Sequence, residues 1–387
     1  MEYGFSVPFA FPLHFTHGVF APGHSLFADI VRRLEPARRH RVLVVVDARV
    51  AATNPGLIDD ITRYAAAHAG AIELVGTPVI VPGGEAVKND LAHPLGLLQK
   101  INEVGLDRQS FVAVVGGGAV LDMVSFAAAI AHRGIRVLRL PTTVLAQADS
   151  GVGVKNSVNL FGKKNFIGTF VPPFAVINDL QFLESLDRRD RVSGLVEAVK
   201  VALLKDAAFF EDLAANAARV AADSSILARV ILRSAELHLQ HICGNGDPFE
   251  LGSARPLDFG HWAAHKLEAL TEHRLRHGEA VAIGIALDLT YSVRMGYLDG
   301  EVAKRIKQVL EAIGFQLWDE ALLRRDREGR TMLLTGLREF REHLGGELHI
   351  TLLRGIGDRF EVTTMEEAEV LASIEELAAM RPANVGR

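Results

Sequence analysis

The stretch RVLVVVD, ending at Asp47, has no polar residue between Arg41 and Asp47, so no side of it suits water. A strand of that kind is buried on both faces, which a parallel sheet covered by helices provides and a solvent-facing sheet does not. The surrounding pattern agrees. An amphipathic helix, HSLFADIVRRLEP, precedes it and ends at Pro36, and a helical stretch near Pro55–Ala67 follows. A second strand, TPVIVPGGEAVKND, runs into a Gly-Gly turn, a helix is expected near Asp90–Val104, and SFVAVVGGGAVLDM reads as a strand, a glycine turn and a helix. Strand and helix alternating at this spacing predict an α/β lobe. The opening MEYGFSVPFAFPLHFTHGVF reads as strands with alternating phenylalanines, and AVIND is a last short strand. The pattern turns helical near Leu183, with the boundary near Asp179–Leu186, so the expected lobes are 1–182 and 183–387. In the second lobe only ELHITLLRGIG resembles a strand or hairpin.

Composition narrows the partners. A formal net charge of −5 and a pI near 6.3 give no reason to expect nucleic acid. A single cysteine, Cys243, rules out an internal disulfide framework and suits a reducing compartment. The apolar start is interrupted by prolines and lacks a basic leader, and no apolar run reaches the ~18 residues of a membrane span. A cytoplasmic protein is expected.

Chemistry concentrates in LDFGHWAAHKLEALTEHRLRHGEAVAIG, from Leu257 to Gly284. His261 and His265, four residues apart, share a helix face, and His277 follows a polar break. Upstream, Glu197 and Lys200 are the charges in the apolar SGLVEAVKVALL. A carboxylate with two or three imidazoles is a ligand set for zinc or a similar ion. Solvated helix residues would account for two spaced histidines alone, but charges in an apolar helix call for partners. The triple glycine Gly116–Gly118 suits either a structural turn or phosphate held at a helix N-terminus. Asp47, at a strand end, suits a ribose hydroxyl. After Pro141-Thr142-Thr143 a long loop is expected, carrying Asp149, Lys155, Lys163, Lys164 and Asn165, either solvated or facing an anionic ligand.

Taken in order, GGGAVLDMVSFAAA, RGIRVLRLPTTVLAQADSGVGVKNSVN, GKKNFIGTF, SGLVEAVK, FGHWAAHKLE and RHGEAVAIG resemble the sugar phosphate cyclases, the family of 3-dehydroquinate synthase. The resemblance spans roughly Asp47 to Gly296. It implies a Rossmann-like N-terminal lobe binding NAD, a mainly helical C-terminal lobe binding Zn2+ or Co2+, and a site in the cleft between them. By matching positions, Glu197, His261 and His277 are the implied metal ligands. Asp47, Glu85, Lys88, Gly117, Gly118, Asp122, Thr142, Thr143, Asp149 and Lys164 are the implied NAD contacts, and Lys155, Asn165, Lys200 and His265 face the substrate. Arg133 matches an arginine that family members lend across a dimer interface, so a homodimer acting on a small sugar phosphate is implied. Family chemistry is transient oxidation of a ring hydroxyl, phosphate elimination, return of the hydride and aldol closure to a carbocycle, with His265 the candidate for moving a proton at the oxidised hydroxyl.

Some positions depart from dehydroquinate synthase. Asp258 stands where its pattern has asparagine, His238 near its lysine, and Ala254 in the register of its arginine, with Arg255 one place off. The C-terminal lysine is missing near Arg341, Glu342 and His343, and Leu121 replaces a glycine, which is expected to tighten the turn near the cofactor. Aspartate disfavours a carboxylated sugar and suits one bearing hydroxyls. DFGH also resembles the branch that cyclises sedoheptulose 7-phosphate to valiolone-type C7 cyclitols of the 2-epi-5-epi or 2-epi series. The alternatives are a true 3-dehydroquinate synthase, a glycerol-dehydrogenase-like alcohol dehydrogenase, or a non-catalytic scaffold. The lysine-rich loop argues against the dehydrogenase, and the intact ligand set argues against the scaffold.

Overall fold

The computed structural model describes residues 1–244, 248–249, 257–343 and 346–380. Its contacts divide the chain into two compact units, Met1–Leu186 and Asp187–Arg387, the division falling just past a 3-10 turn at Leu180–Ser185. Among the described residues no helix is long and apolar enough to cross a membrane.

The first unit is built on a parallel sheet. Its strands are β1 (Leu13–Thr16), β2 (His40–Asp47), β3 (Ile72–Leu74), β4 (Val79–Val81), β5 (Phe111–Gly116) and β6 (Arg136–Pro141). An antiparallel hairpin of β7 (Lys155–Leu160) and β8 (Lys163–Phe170) precedes the last sheet strand, β9 (Ala175–Asp179). The order is β1-β9-β6-β5-β2-β3, with β4 pairing the C-terminal half of β2 where β3 has ended. The helices are α1 (Leu26–Arg32), α2 (Ala48–Thr53), α3 (Leu57–Ala67), α4 (Ala92–Glu103) and α5 (Gly118–Ile130). Alternation along β2 explains its unbroken apolar run. Val42, Val44 and Val46 pack with Phe27, Ile61 and Tyr64 of α1 and α3, whereas Leu43 and Val45 pack with Leu97 and Ile101 of α4 and Met123 and Val124 of α5.

Four details differ from expectation. Only Leu13–Thr16 of the opening segment pairs with the sheet; Tyr3, Phe5 and Phe9 are exposed, and Pro8 and Pro12 lack the N–H groups a ladder needs. The strand β3 is absent from the sequence pattern because IEL is too brief to show a period. The expected loop after Thr143 is instead a π-helical turn, Ala146–Ser150, followed by the β7–β8 hairpin. Leu121 does not tighten a turn: it lies inside α5, buried in the core against Gly151.

The second unit is helical: α6 (Arg188–Gly194), α7 (Val196–Lys205), α8 (Ala207–Asn216), α9 (Ser224–Gly244), α10 (His261–Leu270), α11 (His277–Arg294), α12 (Gly300–Ile313), α13 (Thr335–His343) and α14 (Glu367–Ala379). Among its described residues the strands form a β10–β11 hairpin (Ile350–Gly355, Asp358–Val362). Helix α11 is buried at every position from Ala280 to Ser292, which marks it as the helix the others surround. Its approach to α10 is backbone against backbone. A Cβ on Gly284 would lie 2.0 Å from the Gly260 carbonyl oxygen, and Gly260 adopts a left-handed φ of 77° that favours glycine. One turn along α11, the fully buried Asp288 accepts hydrogen bonds from the Gly260 N–H (3.0 Å) and the Trp262 indole N–H (2.8 Å). Burial pushes the Asp288 carboxyl up to about 7 against the pull of those two donors.

Two outcomes follow from this packing. Gly284→Ala forces α10 away from α11 and should lower unfolding stability by about 1–3 kcal/mol or more, read as a shifted denaturant midpoint. An unshifted midpoint would show that the contact has slack. Asp288 has its folded pKa raised above the unfolded value, so it binds its proton in the native state while the unfolded chain has lost it. Its contribution to stability therefore falls as pH rises from about 4 to about 7 and levels off above that. The stability advantage of the wild type over D288N should grow by about 1 kcal/mol per pH unit as pH is lowered through that window. A pH-independent difference would contradict it.

Candidate metal centre and dinucleotide cradle

In the second unit, three elements bring Glu197, His261 and His277 together. Glu197 lies in the first turn of α7, His261 opens α10 and His277 opens α11. One ligand atom from each lies within 4.8 Å of the others. The glycines of both histidine motifs set this geometry: Gly260 rests on Gly284 and Ile285, and a Cβ on Gly278 would come 1.8 Å from the Ser193 carbonyl oxygen of α6.

Hydrogen bonds orient both imidazoles. The Phe259 carbonyl, 3.1 Å from His261 Nδ1, can only accept, and so can the Glu268 carboxylate 3.2 Å from His277 Nδ1. Each Nδ1 therefore carries the proton, and each Nε2 turns its lone pair to the same place, 3.8 Å and 3.7 Å from Glu197 Oε1. Both Glu197 oxygens are buried and neither has a well-formed hydrogen bond, although the Lys200 ammonium touches Oε2. A buried carboxylate with orphaned oxygens, facing two imidazole lone pairs, fits a divalent cation. Burial pushes the Glu197 carboxyl up, but the Lys200 ammonium, then the neighbouring His277 and His261, hold it well below the usual carboxylate range. Burial first, then Lys200, holds His261 well below the ordinary imidazole value, so it is neutral and able to ligate near pH 7.

His265 stands beside this group, its ring 5.6 Å from His261 and 6.3 Å from His277, and is not one of the three converging ligands. The Asp258 carbonyl accepts from the His261 N–H (3.0 Å), placing Asp258 at the start of α10. His238 lies half-buried on α9, and Arg341 and Glu342 are exposed on α13. Ala254, Arg255 and the side chain of His343 lie outside the described residues.

In the first unit the implied cofactor residues gather at the carboxyl ends of β2, β5 and β6. The chain reverses its direction of travel across the sheet between β2 and β5, and there Asp47 meets the triple glycine. A Cβ on Gly116 would lie 3.2 Å from the Asp47 Cβ, and one on Gly83 2.2 Å from an Asp47 carboxylate oxygen. Gly117 and Gly118 open α5 against Thr143 and Ser150, where a Cβ would come within 3.3 Å and 2.7 Å of those side chains. The Thr142 N–H bonds the Gly116 carbonyl (3.0 Å), and its buried hydroxyl has no partner. Open backbone at a helix N-terminus, an acid at the switch point and an orphaned hydroxyl fit a dinucleotide.

A polar network adjoins this cradle. The buried Lys88 ammonium donates to Asp122 (2.7 Å) and to the Asn165 side-chain oxygen, and lies 3.8 Å from Glu85. The structure thus groups Asn165 with Glu85, Lys88 and Asp122, and holds it at a left-handed φ of 56°. Lys155 is exposed at the start of β7, with Lys164 half-buried on β8 and Asp149 half-buried in the π-helical turn. Arg133 is exposed in the turn after α5, also left-handed (φ 64°).

Several residues of the site escaped the sequence reading. Glu268 orients His277, and its signal was its place seven residues after His261 on the same helix face. Asp288 is the lone charge in AVAIGIALDLTYS, a cue as plain as Glu197. Arg139, buried in β6, donates to the carbonyls of Gly153 (2.7 Å) and Lys155 (3.0 Å), holding the segment that carries Lys155. Its signal was an arginine inside an apolar strand.

Comparison with known proteins supplies the family. A family model described as 3-dehydroquinate synthase N-terminal matches residues 78–193, and one described as 3-dehydroquinate synthase C-terminal matches residues 194–329. The 3-dehydroquinate synthase of Cereibacter sphaeroides is 35% identical over 362 residues, covering 93% of this chain and 95% of that protein. The 2-epi-5-epi-valiolone synthase of Streptomyces glaucescens is 37% identical over 279 residues, covering 71% of this chain and 70% of that one. Among solved structures, the 2-epi-5-epi-valiolone synthase of Streptomyces hygroscopicus subsp. jinggangensis, with NAD+ and Zn2+ bound, superposes with a TM-score of 0.84 at 25% identity, covering 98% of this chain and 100% of that one. The ordered motifs, the α/β and helical units and these matches together place the chain in the 3-dehydroquinate synthase family of sugar phosphate cyclases.

Proposed function

We propose that the protein is an NAD- and divalent-metal-dependent cyclase that converts sedoheptulose 7-phosphate to a C7 cyclitol of the 2-epi-5-epi-valiolone or 2-epi-valiolone type, with loss of phosphate. Whole-chain identity does not separate this reading from 3-dehydroquinate synthase, since relatives of both kinds are similarly identical. The observation that carries it is Asp258, held by its carbonyl at the head of the helix that begins with His261. A carboxylate there repels an acidic sugar and accepts hydrogen bonds from a hydroxylated one. The runner-up, 3-dehydroquinate synthase, is favoured by the 35% identity over 93% of the chain.

Glu197, His261 and His277 would hold the metal. Asp47, Glu85, Lys88, Gly117, Gly118, Asp122, Thr142, Thr143, Asp149 and Lys164 would hold NAD. When bound, NAD supplies a hydride acceptor and donor and the metal a Lewis acid for the oxidised hydroxyl. The chain's own residues do the rest. Lys200, its charge balanced by Glu197, orients a sugar oxygen, and His265 moves the proton at the hydroxyl being oxidised. Lys155 and Asn165 position the substrate. A second copy of the chain lends Arg133 to the phosphate, which makes the working form a homodimer in the cytoplasm.

The reading is tested by incubating the protein with sedoheptulose 7-phosphate, NAD and Zn2+ or Co2+, following phosphate release and identifying the product by NMR. A cyclitol with no net gain of reduced cofactor is expected; reduced cofactor growing in step with product would favour the alcohol dehydrogenase. His277→Ala should abolish stoichiometric metal and turnover together while the circular dichroism spectrum stays that of the wild type. Retention of a full metal equivalent would remove His277 from the ligand set. For substrate choice, kcat/KM should favour sedoheptulose 7-phosphate over the carboxylated heptulosonate phosphate by on the order of 10⁴. Asp258→Asn should narrow that ratio, and a wild-type preference for the acidic sugar would hand the assignment to 3-dehydroquinate synthase.

A further inference from the structure

The metal ligand His261 is flanked by two residues that are both held by one buried side chain of another helix. Asp288 accepts from the Gly260 N–H through Oδ2 (3.0 Å) and from the Trp262 indole N–H through Oδ1 (2.8 Å). Gly260 and Trp262 are the residues immediately before and after His261. Asp288 itself is wholly buried on α11, and Trp262 is 1% exposed. A buried carboxyl group is kept in such surroundings only where specific donors hold its oxygens. It is not among the converging ligand atoms, so its own oxygens do not serve the metal.

The backbone makes this hold stringent. Gly260 is left-handed and lies against Ile285, where a Cβ would come 2.7 Å from the Ile285 backbone nitrogen. Asp288 is three residues further along α11, so the packed glycine and the carboxylate grip the same short segment from one helix face. Ahead of His261 the grip is on the backbone. Behind it, the grip is through the Trp262 ring, a large rigid lever. With Nδ1 of His261 already donating to the Phe259 carbonyl, the remaining freedom of the ring is the placement of the helix start itself, which these two hydrogen bonds set.

We propose that Asp288, acting through Trp262 and Gly260, is a positioning residue for the metal centre: it fixes where His261 Nε2 stands relative to Glu197 and His277. The inference rests on the metal reading given above. Residues that orient a metal ligand from behind typically change metal affinity by about 10–100-fold when altered.

The test uses the whole protein loaded with Co2+, whose visible absorption reports the geometry of its ligands. Trp262→Phe removes the indole N–H and keeps an aromatic ring. Asp288→Asn keeps the shape of the carboxylate and turns an amide N–H toward one of the two donors. Each should weaken Co2+ binding by about 10–100-fold in chelator competition and shift the Co2+ absorption bands. NAD affinity should stay within twofold of wild type. The losses in the double variant should fall short of the product of the two single losses, because both changes act on the same grip around His261. Trp262→Phe carries the test even if Asp288→Asn does not fold. Wild-type affinity and absorption bands in Trp262→Phe would overturn the proposal. Failure of the underlying metal reading looks different: His261→Ala would then bind Co2+ as tightly as the wild type does.

Discussion

The close passage of α10 over α11 at Gly260 and Gly284 is the contact on which the C-terminal unit's chemistry depends. Glycine at both points lets backbone meet backbone, and any side chain there would move the helix that begins with His261. Asp288 then holds the same crossing by two hydrogen bonds, and Gly278 brings the start of α11 against Ser193. Three helices that carry one candidate ligand each are thereby pressed together near their N-terminal ends. The site is rigid because close-packed backbone has no rotamer to yield.

Charge completes what packing begins. Inside this crossing Glu197 would be intolerable alone, yet Lys200 one turn along the same helix balances it and keeps it ionised. Burial outweighs the carboxylate's pull on His261 and keeps that ring neutral, and each Nδ1 faces an acceptor, which leaves each Nε2 toward Glu197. An ionised carboxylate facing two imidazole nitrogens forms a donor set that fits a divalent cation.

The N-terminal unit solves a different problem by similar means. It must expose backbone N–H groups at the head of α5 without exposing the core beneath. Glycines at 116–118 supply the open backbone, while Val120 and Leu121 immediately behind them are buried. Beside this, the Lys88 cluster ties the 3-10 turn Glu85–Lys88 to the β7–β8 hairpin through Asn159 and Asn165. Residues carried by widely separated segments of the unit are made into one surface by a single buried ammonium.

Much of this was legible in the chain. RVLVVVD announces a strand covered on both faces because apolar residues at every position leave no face for water. Glu197 with Lys200, and His261 with His277, stand out because charges and imidazoles in apolar helices need partners. Periodicity, however, carries no information about partners distant in sequence. That the long lysine segment folds as a hairpin depends on pairing Lys155–Leu160 with Lys163–Phe170, and that the N-terminal phenylalanines do not continue the sheet depends on where β9 stops pairing. That Glu268 meets His277, and that Asp288 meets Gly260 and Trp262, is settled only when α10 and α11 are laid together. Local sequence determined which residues are able to ligate, to open a backbone or to be buried. Only the tertiary structure decided which of them meet, because hydrogen-bond direction and the distance between helices are set by side chains that lie elsewhere in the chain.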